Sequence, residues 1–475
     1  MIGSIINGQE RNTSENTTDV INPYNKEKVQ EIALASRDDL EDAITNSFDT
    51  FHNTMKNMTA HERADILRKT ADLLEKNTEE FAQTIVKEAG KPITFSRDEV
   101  GRAVQVIRFA SEEAKHISGE VVPMDAAIGG EGRLGLVKRV PLGVVGAITP
   151  FNFPLNLSLH KIAPAIAAGN TVIFKPAEKT PISAHMLTKL FTEAGLPAGV
   201  LNLVTGTGKE VGEPLVQHDK VHKVSFTGSL PVGRSIRKTA GLKKVTLELG
   251  SNSPNILFDD TDVEQAVKLL VKGAFAFSGQ VCISAQRVYV QKNIYDQFLE
   301  QYIKQTNDLK IGNPEDEDTD IGPMISEEEA TRAKQWVDDA VENGAKIAAG
   351  GDQKGTILTP TIMTNVDKNM KIIAEEVFAP IVSVIPFDTE DEVVGFSNDS
   401  IYGLQAGVFT KDLDRALRVA DKLEMGGVWI NEISTYRQDN HPYGGVKQSG
   451  IGKEGVKYAV EDMTQLKFIG MKLKQ

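Results

Sequence analysis

The sequence predicts an α/β protein centred on a parallel sheet wound with helices on both faces. Three observations point there. From Gly143 onward five short β-branched runs, "GVVGAIT", "NTVIFK", "GVLNLVT", "KVSFT" and "KVTLEL", alternate with helix-like segments that begin near Pro154, Pro181, Gly208 and Leu230. Strands separated by helices make crossover units, not hairpins. A second strand-and-helix set starts at "SPNILFDD" and continues to the Gly-rich "YGGVKQSGIGKEG". The length of 475 residues exceeds one ordinary hydrophobic core, so two or three domains are expected.

The elements follow in chain order. As far as Ser118, after a short strand or turn region, apolar residues recur at helical spacing in "RDDLEDAITNSFDTFHNTM", "AHERADILRKTADLLEKNTEEFAQTIVKEAGK" and "SRDEVGRAVQVIRFASEEAKHI". The second of these reads as one long helix stopped at Gly90-Lys91-Pro92. "GRLGLVKRVPLG" alternates apolar with basic or small residues, as a strand leaving the domain body would. The acidic "PEDEDTD", Pro314 to Asp320, reads as a solvated loop.

A net charge of -13 argues against nucleic-acid or anionic-membrane partners, which would be repelled at long range. The most apolar neighbourhood, Val144 to Ala168, is interrupted by prolines, Asn152, His160 and Lys161, which no bilayer span favours. The start lacks a basic region followed by an apolar one, so no signal peptide is expected. A single cysteine rules out an intramolecular disulfide framework and a CxxC metal site. These features predict a cytoplasmic protein.

That one cysteine, Cys282, lies in "FSGQVCISAQ". An isolated cysteine is ordinarily a small buried hydrophobe, and its neighbours decide whether it is more. Candidate chemistry falls at strand ends, where such sheets bind ligands. "TPFNFP" holds the Asn152 amide between two aromatics and two prolines, a rigidity that suits either an oxyanion donor or a structural turn. "LELGSNSP" ends a strand on Glu248, a potential base or a solvated carboxylate. "IFKPAEKTP" places Lys175 and Glu178 beyond the second strand, where a carboxylate can accept from ribose hydroxyls and repel a 2′-phosphate. "FTGSLPVG" sets Gly228 and Ser229 at a helix start, where backbone N–H groups could meet a pyrophosphate. "GTGKEVG" has one residue too many for G-x-G-x-x-G and reads as a tight strand-to-helix turn. His218 and His222 have metal-pair spacing but no third ligand.

Together these motifs resemble the NAD(P)-dependent aldehyde dehydrogenase superfamily. "TPFNFP", "FKPAEKTP", "SFTGSLPVG", "TLELGSNSPN", "GQVC", "EEVFAP" and "YGGVKQSGIG" occur in that family's order over nearly the whole chain. The resemblance implies Cys282 as nucleophile, Asn152 with the Cys282 N–H as oxyanion donors, and Glu248 as the base that hydrolyses a thioester. It implies cofactor contacts from Lys175, Glu178, Gly228, Ser229, Phe151, Glu376 and Phe378, with NAD favoured and NADP as second choice. It also implies a Rossmann-type NAD-binding domain (1–122 and 142–250), a catalytic α/β domain (251–445), and a β arm with C-terminal tail (123–141 and 446–475) that builds homodimers or homotetramers. Ser251-Asn252 and Ala379 depart from the family's frequent residues.

"WINEISTYRQDNHPYGGVKQSG" is similar to the branch of lactaldehyde, glyceraldehyde, sulfolactaldehyde and phosphonoacetaldehyde dehydrogenases. Short polar or anionic aldehydes are the implied substrates, with Arg102, His160 and Arg437 as candidates for an anionic end. The competing readings are a thiol esterase or hydrolase and a CoA-acylating dehydrogenase.

Overall fold

The computed structural model describes residues 1–14 and 16–473; residue 15 and the last two residues of the expected tail, 474 and 475, lie outside the described residues. All five expected runs form strands, Val144–Ile148, Thr171–Lys175, Leu201–Leu203, Val221–Thr227 and Lys244–Glu248, and all pair in parallel. The spatial order is 201–203, 171–175, 144–148, 221–227, 244–248, so the chain winds outward in both directions from Val144–Ile148. Nearly every residue of these strands is buried, because helices cover both faces. On one edge Ser4–Ile6 and Gln9–Arg11 add antiparallel strands. On the other, Gly450–Ile451 pairs antiparallel with Leu247 and Glu248, which brings the Gly-rich C-terminal segment to the strand end that carries Glu248.

The second sheet has the order 346–349, 361–364, 381–387, 287–291, 254–257, 405–409, 427–430. Six strands are parallel and Lys346–Ala349 is an antiparallel edge. The expected arm strand runs from Arg133 to Pro141 between Glu120–Val122 and Thr464–Lys472. Among the described residues nothing pairs with the outer edge of Thr464–Lys472, which exposes Leu466, Phe468, Ile469 and Met471.

The long helix expected over 60–91 is two, Ala60–Lys76 and Thr78–Ala89. Asn77, at φ −102° and ψ 19°, breaks the pattern; its amide donates to the Leu73 carbonyl at 2.8 Å, closing the first helix. Short polar side chains compete with the helical ladder in this way. Gly90 ends the second helix at φ +69°, the left-handed cap that glycine adopts at no cost. The helix starts expected near Pro154, Pro181 and Leu230 fall at Asn156, Ile182 and Leu230, while "GTGKEVG" forms a π-turn, Gly208–Gly212, leading into Glu213–Gln217. His218 and His222 do not form a pair: His218 bonds Glu41, and His222 Nδ1 accepts the Val144 N–H. Among the described residues no helix is long and apolar enough to cross a membrane.

Candidate active site

A cleft of about 910 Å³ opens at the carboxyl ends of the first sheet, with Thr149, Lys175 and Thr227 on one side and Cys282, Glu376 and Phe378 on the other. At its outer end the helix Leu230–Thr239 begins at Ser229 with no side chain capping its first turn. Pro231 has no N–H, so the first turn leaves the N–H groups of Leu230 and Val232 uncapped, as anion-binding helix starts do. Gly228 allows close packing beneath it, since a Cβ would lie 2.5 Å from the Phe226 ring. Glu178 is exposed and accepts the Gly208 N–H at 3.0 Å, so the "GTGKEVG" turn serves the cleft by holding this carboxylate. Lys175 is buried, its Nζ donates to the Pro176 carbonyl at 3.1 Å, and burial lowers its proton affinity.

Farther in, Glu376 accepts the Ser251 N–H at 3.1 Å and lies against Gly250, where a Cβ would meet Oε2 at 2.3 Å. Burial lifts its carboxyl to about 7. Asn252 pins the same region by donating to the Ile373 carbonyl and accepting from Ser400, so both unusual residues after "LELG" are used in holding the Glu376 loop. Phe378 is left-handed at φ +50°, and its ring meets Phe151 edge-to-face with centroids 6.0 Å apart. An uncapped helix start for a pyrophosphate, a carboxylate for a ribose and an aromatic pair deeper in fit a nicotinamide dinucleotide.

The cleft ends at Cys282. The segment before it contains three successive left-handed residues, Phe277 (φ 47°), Ser278 (φ 53°) and Gly279 (φ 67°). Two are not glycine and cost on the order of 1–3 kcal/mol each, so the surroundings must hold them. Ser278 donates to the Gly322 carbonyl at 2.8 Å, and Gln280 accepts the Ile325 N–H at 2.9 Å. The Gln280 carbonyl also receives one N–H of the Asn152 amide at 2.9 Å, which ties that amide to the cysteine segment and leaves its second N–H available. Behind Asn152, buried Glu99 accepts the N–H groups of Leu155 and Asn156 at 3.0 and 3.1 Å. Glu99 pairs with Lys91, whose ammonium lies over the Phe153 and Phe277 rings.

Cys282 Sγ is 3.0 Å from the Tyr443 hydroxyl. Burial pushes the thiol up to about 11, against the opposing pull of that hydrogen bond and of the Arg437 charge. Glu248 is buried, and among the described residues neither carboxylate oxygen has a hydrogen-bond partner. It packs against Gly444, where a Cβ would reach Oε1 at 2.7 Å. Burial, and then the neighbouring Glu454 charge, raise its carboxyl well above the ordinary range. Burial works in the same direction on Glu454, but Lys161 at 2.7 Å and Arg437 at 3.1 Å outweigh it and keep that carboxylate ionised.

Arg102, His160 and Arg437 do come together, and all three are engaged by the protein's own carboxylates, Arg437 by Glu454 at 3.1 Å. Arg102 forks onto Asp439 at 2.7 and 3.2 Å, and His160 Nε2 reaches the same carboxylate at 2.8 Å. Arg437 lies over the Tyr443 ring at 3.6 Å, and its Nε is buried without a partner. Asp439, Tyr443, Glu454, Lys161 and Gln280 contact the candidate residues, and the motifs did not single them out. Lys161 carried a signal, as a charge inside the apolar run "LSLHKIAPAIA". The others lie in quoted motifs, but their partners are supplied by other segments.

A cleft sized and charged for a dinucleotide, ending on a sulfur beside a fixed amide, is the architecture of a nicotinamide-dependent oxidoreductase. The chain belongs to the aldehyde dehydrogenase family, whose model matches residues 10–469, and it is thereby an NAD(P)-dependent oxidoreductase acting on aldehydes. It is 49% identical to a 3-sulfolactaldehyde dehydrogenase of Priestia aryabhattai over 99% of this chain and 98% of that protein. Among solved structures it is similar to aldehyde dehydrogenase 21 of Physcomitrella patens in complex with its reaction product succinate (TM-score 0.96, 38% identity, 99% and 98% of the two chains). It is also similar to glyceraldehyde-3-phosphate dehydrogenase GapN of Methanocaldococcus jannaschii complexed with NADP (TM-score 0.93, 42% identity, 96% and 100%).

Proposed function

We propose that the chain oxidises a short aldehyde with a polar or anionic far end, using Cys282 as nucleophile and NAD in preference to NADP. One observation carries the reading: Cys282 and Asn152 line the same cleft as the uncapped helix start at Ser229. The Cys282 thiolate attacks the aldehyde carbon, and the negative charge that forms on oxygen is received by the free Asn152 N–H and the Cys282 N–H. When bound, the dinucleotide supplies the hydride acceptor that turns the thiohemiacetal into a thioester. Glu248, buried with a raised proton affinity, takes a proton from water; the hydroxyl adds to the thioester carbon, the acid leaves and the Cys282 sulfur is freed.

Lys175 and Glu178 would hold the adenosine ribose, Gly228 and Ser229 the pyrophosphate, and Phe151, Glu376 and Phe378 the nicotinamide half. Glu178 repels a 2′-phosphate, which supports NAD; the similarity to an enzyme solved with NADP keeps NADP as the second choice. Arg437, paired with Glu454 through Nη2 and with Nε unpartnered, is the cation we assign to the anionic end, while Arg102 and His160 hold its loop through Asp439. A relative named for sulfolactaldehyde and a neighbour holding succinate support an anionic end.

The domain division proposed from the motifs is 1–122 with 142–250, 251–445, and 123–141 with 446–475; Glu120–Val122 pairs into the arm sheet and Gly450–Ile451 into the first sheet. The unpaired, apolar outer strand Thr464–Lys472 supports a homodimer or homotetramer. The lone cysteine supports a cytoplasmic location. The test is a panel of charged and neutral short aldehydes, each assayed with NAD and with NADP, for the wild type and Arg437→Ala. The variant should raise KM for charged aldehydes more than for neutral ones; equal effects sink the anionic end, and acid formed without NADH or NADPH sinks the redox reading.

A further inference from the structure

We propose that Tyr443 is the positioning residue of the nucleophile: its hydroxyl donates a hydrogen bond to Cys282 Sγ, holds the sulfur at the end of the cleft and favours its thiolate form. This rests on the reading of Cys282 as nucleophile.

The contact is 3.0 Å, and Tyr443 is only 2% exposed. Its backbone is clamped on both sides by Glu454, whose carbonyl accepts the Tyr443 N–H at 3.0 Å and whose N–H donates back at 2.6 Å. The Arg437 guanidinium lies 3.6 Å from the ring centroid. A cation over a phenol ring draws electron density from it and makes its O–H a stronger donor. Burial, and then the nearby sulfur, push the phenol well above its usual range, so Tyr443 keeps its proton and acts as a donor, not as a base. A neutral thiol is a weak acceptor and a thiolate a strong one, so the bond selects the charged form. Of the other charged or titratable groups facing this pair, Arg437 also favours the thiolate, while Glu248 and Glu376 oppose it. His441, whose ring lies 6.4 Å from Tyr443, has its proton affinity lowered by burial. When the S–C bond forms, sulfur loses its charge and the hydrogen bond relaxes.

Tyr443→Phe keeps the ring under Arg437 and removes only the donor. The direct test is the pH dependence of iodoacetamide alkylation of the purified protein, with no aldehyde or dinucleotide present; Cys282 is the only cysteine, so the label is unambiguous. The variant's profile should move up by about one pH unit, so that alkylation is about tenfold slower at any pH below both midpoints. kcat/KM should fall by about the same factor, with NAD affinity and melting temperature unchanged. Superimposable alkylation profiles overturn the proposal. So does a shift to lower pH, which would mean that the thiol donates to the phenol oxygen. The parent reading has its own readout: if wild-type protein alkylated at Cys282 still oxidises aldehydes, Cys282 is not the nucleophile, whatever Tyr443 does.

Discussion

Gly279 is the position where one methyl group should separate packing from chemistry. It has φ +67°, and a Cβ there would lie 2.1 Å from the Ala379 carbonyl oxygen and 2.5 Å from its carbon. Ordinary contact begins near 3.4 Å, so one of two backbones must retreat by about 1.3 Å. Neither side can yield by turning a rotamer. If the segment before the strand Ile381–Phe387 yields, it carries Phe378; if the cysteine loop yields, it carries Gln280, whose carbonyl anchors Asn152. Gly279→Ala should therefore lose about 1–2 kcal/mol from the left-handed backbone alone and about 2–4 kcal/mol in all. A misplacement of about 1 Å at a reacting centre costs about 100-fold in rate, so kcat should fall by that order. The control is Gly195→Ala, equally left-handed at φ +94° but exposed, with nothing within 4 Å of the added Cβ. It should lose only the backbone increment and keep full activity. Urea unfolding and the initial rate of NADH formation, measured on both variants, decide the matter. Gly279→Ala behaving like Gly195→Ala in both assays would refute the steric argument.

Cys282→Ala should abolish aldehyde-dependent NADH formation while NAD affinity, read by titration, stays within about twofold. Residual turnover removes the nucleophile assignment. Asn152→Ala should lower kcat by about 10²–10³ through loss of an oxyanion donor, and a loss confined to KM would contradict that role. Glu88 is buried, accepts the Ile182 N–H at 2.8 Å, and burial pushes its carboxyl from 4.5 up to about 8. Below about pH 4.5 the folded and unfolded chains both hold this proton. Between 4.5 and 8 only the folded chain does, so its contribution to stability falls as pH rises and is lost by about pH 8. Glu88→Gln removes that slope. Relative to wild type it should gain stability from pH 4.5 to pH 8, by roughly 4 kcal/mol at most, in urea midpoints taken at both values. An unchanged difference would show that Glu88 is not the titrating group.

Much of this protein is legible in the local chemistry of its chain. Alternating strands and helices after Gly143 prescribe a parallel sheet, because each β-branched run can bury both faces only beneath crossover helices. Strand-end motifs then mark the cleft, since Asn152 and Ser229 follow strands and Lys175 and Glu248 end them, all in the same parallel sheet. What the sequence alone could not decide is what those groups touch. The break at Asn77 depends on a side-chain bond that helical periodicity does not register. Asp439 bonds Arg102 and His160 across more than 250 residues of chain, a partnership that neither residue's local sequence registers. Tyr443 reaches Cys282 only because Gly450 pairs with Glu248 and folds the C-terminal segment over the cysteine. Residue type and spacing set the parts and their local geometry; proton affinity and hydrogen-bond partnership belong to the desolvated interior, which exists only once distant segments pack.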